Sequence, residues 1–317
     1  QLVGVQSDVD QRVVNETQEV NKMVREVASL NEKIAEVEVQ GIPANDQRDR
    51  RDLLLKKINE KIDIHYSEGT NGLVTVSTAG NAILVSGYDH YELQTHIDPK
   101  TQRVDVYFKP NESTPPFRIT DRIRGGSMGG ALAVRDQVIP DFKEKMDQIA
   151  YNLADQVNRV HVQGFDRSAR PGEVFFDLSG GPEGAAERIE VNDKIVNDVN
   201  RIAAGAKPGA QGDNTIANVI SQLQSKELMD GNSSTIDDFY NSQVGRIGVL
   251  AQRAVKTRES QDHIVNQLNT IREGISGVSL DEETTNMIEF QRAFDASARV
   301  IKTADEMFDT ILNLKRM

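Results

Sequence analysis

The chain has 317 residues, enough to bury a sizeable core or to form two domains of ordinary size. It carries 37 Lys and Arg against 49 Asp and Glu, and this net charge of −12 disfavours a general affinity for nucleic acid or for an anionic membrane surface. The absence of cysteine excludes disulfides, thiolate nucleophiles and cysteine-ligated zinc. No apolar run reaches about 18 residues, so no membrane insertion is expected.

The first part of the chain predicts two helices. Apolar residues keep one heptad register over residues 2–37, which predicts a single long helix that ends before Gly41. Asn45 and Asp46 are both favourable N-cap residues, so a second helix is predicted from there to Ile62.

The apolar period changes from helical spacing to two between residues 63 and 123. Val104, Val106 and Phe108, for example, occupy alternate positions, and Gly, Asn and Pro turn signals divide the segment. The pattern predicts five or six short antiparallel strands. We expect them to form a small β-rich module inserted between helices.

The middle of the chain predicts a third long helix and a stretch of loops. A glycine-rich run at 125–130 precedes an apolar stripe that ends near Gly164. Glycine and proline are frequent over 164–215, where one short strand is predicted at 174–176.

A fourth long helix is predicted from Ser234 or Thr235 to about Gly274, because a hydroxyl followed three residues later by an acid forms a capping box. We expect the first, third and fourth helices to pack on one another as a bundle.

The last helix is predicted from about Asp281 to Leu314, with Ser279 and Glu282 forming its capping box. Its apolar residues alternate at spacings of four and three, so they form one face. Leaving such side chains in water is costly, at about 1.5 to 3 kcal/mol each. We therefore predict that this face binds a partner outside this polypeptide. The interface residues expected from the pattern are Phe290, Phe294, Ile301, Phe308, Ile311 and Leu314.

Few residues suggest chemistry. His90 and His96 share one face of a regular strand, so they are either part of a metal site or two surface imidazoles, and the sequence provides no clear third ligand. The glycine run at 125–130 lacks the Lys-Ser/Thr end of a phosphate-binding loop and is read as a tight entry into a helix. We predict no catalytic site, no cofactor and no metal, and hence no enzyme.

The predicted fold is mainly α with an inserted β module. It is an elongated bundle of long amphipathic helices, with a small antiparallel β domain and a C-terminal coiled-coil helix. The predicted domains are a discontinuous helical core at 1–62 and 124–278, the β-rich module at 63–123 and the C-terminal helix at 279–317.

Three stretches resemble one family. The end, NMIEFQRAFDASARVIKTADEMFDTILNL at 286–314, resembles the C-terminal signature of flagellar axial proteins, a signature that hook and rod proteins share. PANDQRDRRDLLLKKI at 43–58 and the stretch GGSMGGALAVRDQVIPDFKEKM, which begins at 125 and continues to 166, resemble more specifically the family of hook-associated protein 1, the first junction between hook and filament.

The resemblance implies a structural, self-assembling component of the bacterial flagellum, needed for motility and exported to the outside by the flagellar type III apparatus. Terminal helices would line the inner tube, helices would form the next shell, and the module at 63–123 would project outward. The implied partners are neighbouring copies, hook protein and the second junction protein, and an export chaperone would hold the C-terminal helix before secretion.

Two departures and three alternatives accompany the resemblance. The N-terminal segment that pairs with the C-terminal helix in the family is expected to be missing here. Only residues 178–186 stand where many relatives carry a large β-rich insertion, so a slim member with one outer module is expected.

The alternatives are another axial protein such as the second junction protein or a hook protein, an unrelated helical binding module, and a metal-dependent hydrolase using His90 and His96.

Overall fold

The computed structural model describes the backbone of residues 2–111, 113–276 and 280–314, with side chains except at 275–276, 280–281 and 308–314. Contacts divide the chain into a larger unit, Gln1–Gln243, and a smaller unit, Val244–Met317. The predicted class is confirmed, since long helices dominate and small antiparallel sheets lie between them.

The chain begins with a helical hairpin. Helix α1 spans Leu2–Glu38 and α2 spans Asn45–Lys61, as the register predicts. The predicted N-cap of α2 was wrong. The N-cap position is Ala44, whose side chain has no atom that could accept a hydrogen bond from the N–H groups of the first turn. Glu16, which interrupts the apolar register of α1, is buried and accepts a 2.8 Å hydrogen bond from Ser127 Oγ.

In the described part of residues 62–123, seven short strands form two antiparallel sheets. The first sheet has the order β1-β2-β3-β4, and Tyr66 lies opposite Val76. The second has the order β5-β6-β7, and Thr95 lies opposite Val106. The strands are β1 (Ile64–Glu68), β2 (Val74–Thr78), β3 (Ile83–Ser86), β4 (Asp89–His90), β5 (Leu93–Ile97), β6 (Val104–Phe108) and β7 (Phe117–Arg118).

The strands share one hydrophobic core with α1 and α2. Two buried asparagines of α1 bind the sheets through hydrogen bonds. Each side-chain amide pairs with the N–H and carbonyl of one strand residue, as the backbone of a neighbouring strand would. Asn21 donates to the carbonyl of Leu93 at 2.8 Å and accepts from its N–H at 2.9 Å, and Asn31 makes the same pair of bonds with Val74 at 2.8 and 3.2 Å. The predicted domain boundaries between the helical core and the β-rich module, at 62/63 and 123/124, stay predictions.

The glycine run opens the third helical region directly. Helix α3 spans Gly126–Ala133, a π turn follows at Val134–Val138, and α4 spans Ile139–His161. Gly126 has φ +70°, and a Cβ there would lie 2.4 Å from the Lys61 carbonyl group. Only glycine fits this close approach of two backbones.

The segment after α4 holds short elements around a second, smaller core. Asn158 of α4 accepts from the N–H groups of Phe175 and Phe176 at 2.7 and 2.8 Å, which fixes the predicted strand region. The elements are β8 (Phe176–Asp177), α5 (Ala185–Arg188), β9 (Glu190–Val191), α6 (Asp193–Asn197) and α7 (Thr215–Gln222).

The last described residues form two long helices, α8 at Ile236–Ser276 and α9 at Leu280–Leu314. The predicted cap of α8 is confirmed, because Thr235 Oγ1 accepts from the N–H of Asp238 at 3.1 Å. The cap predicted for the last helix at Ser279 lies outside the described residues. Among the described helices, none combines the length and apolar character needed to cross a membrane.

Candidate assembly surface on the two C-terminal helices

The predicted interface residues lie on α9, and those with described side chains are exposed. Phe290 is 76% exposed, Phe294 74% and Ile301 64%. At 100° per residue, spacings of four and three place these side chains on one face of the helix. We call this face the α9 stripe. It consists of Phe290, Phe294, Ser297, Ile301, Ala304, Phe308 and Ile311.

Further apolar residues widen the α9 stripe, among them Met287, Val300 and Met307, all exposed. The side chains of Phe308, Ile311 and Leu314 lie outside the described residues, so these three interface residues stay predictions. A continuous apolar face of this size on a soluble protein is typical of an interaction site.

The one hydroxyl within the α9 stripe does not interrupt its apolar character. Ser297 Oγ donates a 2.8 Å hydrogen bond to the Ala293 carbonyl one turn earlier. Its hydrogen is thereby used within the helix, as backbone-directed hydroxyls commonly are. The α9 stripe therefore presents mainly apolar side chains to a partner.

A second exposed face lies on α8 and was not expected. The start of this helix is covered, where Phe239 is buried. From Val244 to Gly274 the residues of α8 are exposed, and the packing of the fourth helix with the first and third stays a prediction. We call this face the α8 stripe. It consists of Ile247, Leu250, Ala254, Thr257, Ile264, Leu268 and Ile271.

The residues of the 43–58 motif hold the larger unit together. Arg48 donates to Glu38 through Nε at 2.6 Å and through Nη2 at 2.8 Å, and this bonding lowers the pKa of the Glu38 carboxyl. Arg51 is 1% exposed and donates to the carbonyl of Gly72 at 2.7 Å. These arginines tie α2 to the end of α1 and to the β1–β2 turn.

The motif that begins at 125 has a similar structural role. Arg135 of the π turn is 1% exposed; it donates to Asp10 of α1 at 2.7 Å and also to the Val104 carbonyl of β6. The π turn brings the guanidinium inward at this point. Sequence reasoning found the motif but not this role, since nothing local marks Asp10 as its partner.

The other candidate sites gain no support from geometry. His90 lies on β4 of the first sheet and His96 on β5 of the second, where its ring meets Tyr107 edge-on with centroids 5.2 Å apart. Within the described part of the chain, no three His, Asp or Glu side chains are grouped as metal ligands. The Gly126 backbone is occupied by its approach to Lys61.

A family model, the helical domain of the flagellar hook-associated protein FlgK, matches residues 1–176 of the 317. The chain belongs to the FlgK family. A second model, the C-terminal domain of the flagellar basal body rod proteins FlgEFG, matches residues 274–314 and therefore contains α9 up to its last residue.

Known relatives of this FlgK family member agree with both matches. Flagellar hook-associated protein 1 of Bacillus subtilis is 29% identical over 98% of this chain and 67% of its own length. The flagellar hook protein FlgE of Caulobacter vibrioides is 49% identical over 41 residues, 13% of this chain. The solved flagellar hook junction protein FlgK of Burkholderia pseudomallei is 25% identical with a TM-score of 0.50, covering 56% of this chain and 34% of that one.

Proposed function

We propose that this protein is a structural component of the bacterial flagellum, an adaptor that joins hook to filament by helix packing between subunits. One observation carries the proposal. The exposed α9 stripe lies within the segment that matches the C-terminal domain of rod proteins. Several axial proteins share this sequence, and its apolar side chains are exposed. Both properties fit a contact that is common to the subunits of the flagellar axis.

The proposed partners are neighbouring copies, hook protein and the second junction protein. Before assembly, an export chaperone would hold Phe290, Phe294, Ile301, Phe308, Ile311 and Leu314 of α9. Both partners would use the same helix face at different times, as a helix lies in a groove. The protein would reach the outside of the cell through the flagellar type III apparatus and work there without catalysis.

The proposed domain roles follow the predicted division. The helix at 279–317 would line the inner tube, and the helices of 1–62 and 124–278 would form the next shell. The strands at 63–123 would face outward. Their shared core with α1 supports a module held rigidly on the helices, because the asparagine bonds leave little freedom between them.

A second candidate is another axial protein, such as the second junction protein or a hook protein. The 41-residue match to a hook protein FlgE favours it, as does the match of residues 274–314 to the C-terminal domain of FlgEFG. The match over residues 1–176 favours the junction protein instead.

The test is to place charge on the α9 stripe in the natural protein, by Phe290→Glu together with Phe294→Glu. Two buried carboxylates oppose packing strongly, so we expect no ordered junction by electron microscopy and loss of swimming. The matched control is Ala296→Glu with Thr303→Glu, which adds the same groups at exposed positions away from the stripe and should assemble normally. Normal junctions in the first variant would refute the proposal.

A further inference from the structure

We propose that two buried asparagines of α1, Asn21 and Asn31, set the direction in which the β-rich module projects from the helices. The inference rests on the proposed function, in which this module faces outward, and names the residues that would aim it. Asn21 binds the second sheet at Leu93, and Asn31 binds the first sheet at Val74. Each sheet therefore has its own polar attachment to the same helix.

The apolar core by itself would not fix this direction. Hydrophobic contacts are non-directional, so a helix can turn on an apolar sheet face with little loss of buried area. A hydrogen bond requires a short distance and a favourable angle, and a buried group that loses its partner is costly. Asn31 is 0% exposed and Asn21 is 9% exposed, so water cannot readily replace the strand as their partner. Their bonds therefore select one orientation of the helix on the sheets.

Asn21 provides one of two attachments between α1 and the second sheet. The other is Asp10, whose carboxylate accepts from the N–H of Val104 at 3.1 Å. The two α1 residues are about 17 Å apart along the helix axis and about 20° apart around it. Leu93 and Val104 are about 14 Å apart, because Val104 lies opposite Ile97, four residues beyond Leu93 on β5. Two attachments at this separation align α1 with the strands of the second sheet.

Asn31 joins two strands of the first sheet where their own pairing ends. β2 and β3 pair at Val76 and Val85, and the same register continued would place Val74 opposite Gly87. At that position Nδ2 of Asn31 donates to the carbonyls of Val74 and Gly87, both at 2.8 Å. Its Oδ1 accepts from the N–H of Val74 at 3.2 Å. A helix side chain thus continues the hydrogen bonding of the first sheet.

Arg51 of α2 fixes which way the Asn31 amide faces. Its Nη1 donates to Oδ1 of Asn31 at 3.3 Å and to the carbonyl of Gly72 at 2.7 Å. The amide oxygen therefore faces two donors and the amide nitrogen faces two acceptors. A flipped amide would lose all of these bonds, because its oxygen would face carbonyls and its nitrogen would face N–H groups. The motif at 43–58 thereby helps to aim the first sheet.

The two sheets should differ in how strongly each depends on its asparagine. The second sheet keeps the Asp10 contact when Asn21 is lost, and Arg135 also holds the Val104 carbonyl there. Within the described residues, the hydrogen bonds that join α1 to the first sheet all come from Asn31. Loss of Asn31 should therefore free the first sheet more than loss of Asn21 frees the second.

The experiment measures the distance from α1 to each sheet in the full chain. The sequence has no cysteine, so spin labels attach only at introduced ones. One label pair is Ser29→Cys on α1 with Ser67→Cys on β1, and the other is Ser29→Cys with His96→Cys on β5. All three positions are exposed. Double electron–electron resonance then gives a distance distribution for each pair.

The natural chain should give two narrow distributions. Asn31→Leu removes the hydrogen bonds at similar volume, so it should broaden the distance to β1 about twofold and leave the distance to β5 unchanged. Asn21→Leu should broaden the distance to β5 by a smaller factor and leave the distance to β1 unchanged. Narrow distributions in both variants would overturn the inference, and so would equal broadening of both distances in either variant.

A second variant decides the question if Asn31→Leu prevents folding, which circular dichroism would show. Asn31→Asp keeps the acceptor for Val74 and Arg51 and loses the two donated bonds, so it should still broaden the distance to β1. A natural distribution in this variant would count against the inference. The matched control is Asn15→Leu, the same substitution at an exposed position of α1, which should leave both distances natural.

The failures of the two proposals can be told apart, because the distances are measured on unassembled chains. Suppose that Phe290→Glu with Phe294→Glu prevents assembly while the asparagine variants keep natural distances. The proposed function would then stand, and the apolar core would aim the module. Assembly of the phenylalanine variant would instead remove the proposed function and would leave the measured distances as they are.

Discussion

Helices α1 and α9 carry similar apolar registers and have opposite surroundings. In α1, the stripe residues Val20, Val27 and Ile34 are fully buried. In α9, Phe290 and Phe294 are about three-quarters exposed. An amphipathic pattern thus states that a helix has a partner, but not which polypeptide supplies it. The side chains that decide this for α1 are polar, since Asn21 and Asn31 bind the strands directly.

The largest effect that would sharpen this comparison is expected at Arg135. Replacing it by leucine removes the guanidinium that donates to Asp10 and to the Val104 carbonyl, and removing one partner of a buried pair costs about 3 to 5 kcal/mol. Urea unfolding followed by circular dichroism should show this loss. The control is Arg159→Leu, whose pair with Asp155 is exposed and should cost less than about 1 kcal/mol.

The stripes themselves can be compared by equal truncations. Ile34→Ala in α1 should lower the free energy of unfolding by about 2 to 5 kcal/mol, because it opens a cavity in a closed core. Ile301→Ala in α9 should change it by less than about 0.5 kcal/mol when measured under dilute conditions without a partner. Equal losses would mean that α9 already has its partner within the chain.

A smaller effect is expected where α8 begins. Thr235→Ala removes the hydroxyl that accepts from the N–H of Asp238, and loss of such a cap costs about 1 kcal/mol. Faster amide exchange should then be confined to the first turn of α8. Thr235→Ser keeps the acceptor and should exchange like the natural chain.

The smallest effect is local to the larger unit and depends on pH. Asp213 accepts from the hydroxyl and N–H of Thr215 and from the N–H of Ala206, which lowers its pKa from 3.8 to about 2. A lowered folded pKa stabilises the loop above pH 3.8, and this contribution is lost as the pH falls towards 2. An NMR titration should place the Asp213 midpoint near 2. Thr215→Val should raise it, and a midpoint near 3.8 in the natural chain would contradict the assignment.

Much of the fold was readable from local patterns. The long helices and the change to period two between 63 and 123 were predicted from apolar spacing, and Thr235 from its capping box. Each of these signals lies within a few residues of the structure it specifies. The cap of α2 was wrong for the same reason, since Asn45 and Asp46 look suitable locally but the helix begins after Ala44.

The candidate site divides in the same way. The α9 stripe was predicted from its spacing, whereas the exposure of the α8 stripe was not, because spacing is identical for a buried and an exposed face.

The sequence by itself determined where helices and strands form and which faces are apolar, because those depend on neighbours along the chain. Only the tertiary structure decided which faces are covered. The carbonyl of Leu93 meets Asn21, the carbonyl of Val104 meets Arg135, and the Lys61 backbone meets Gly126. These contacts join residues far apart in sequence, so their partners exist only once the chain has folded.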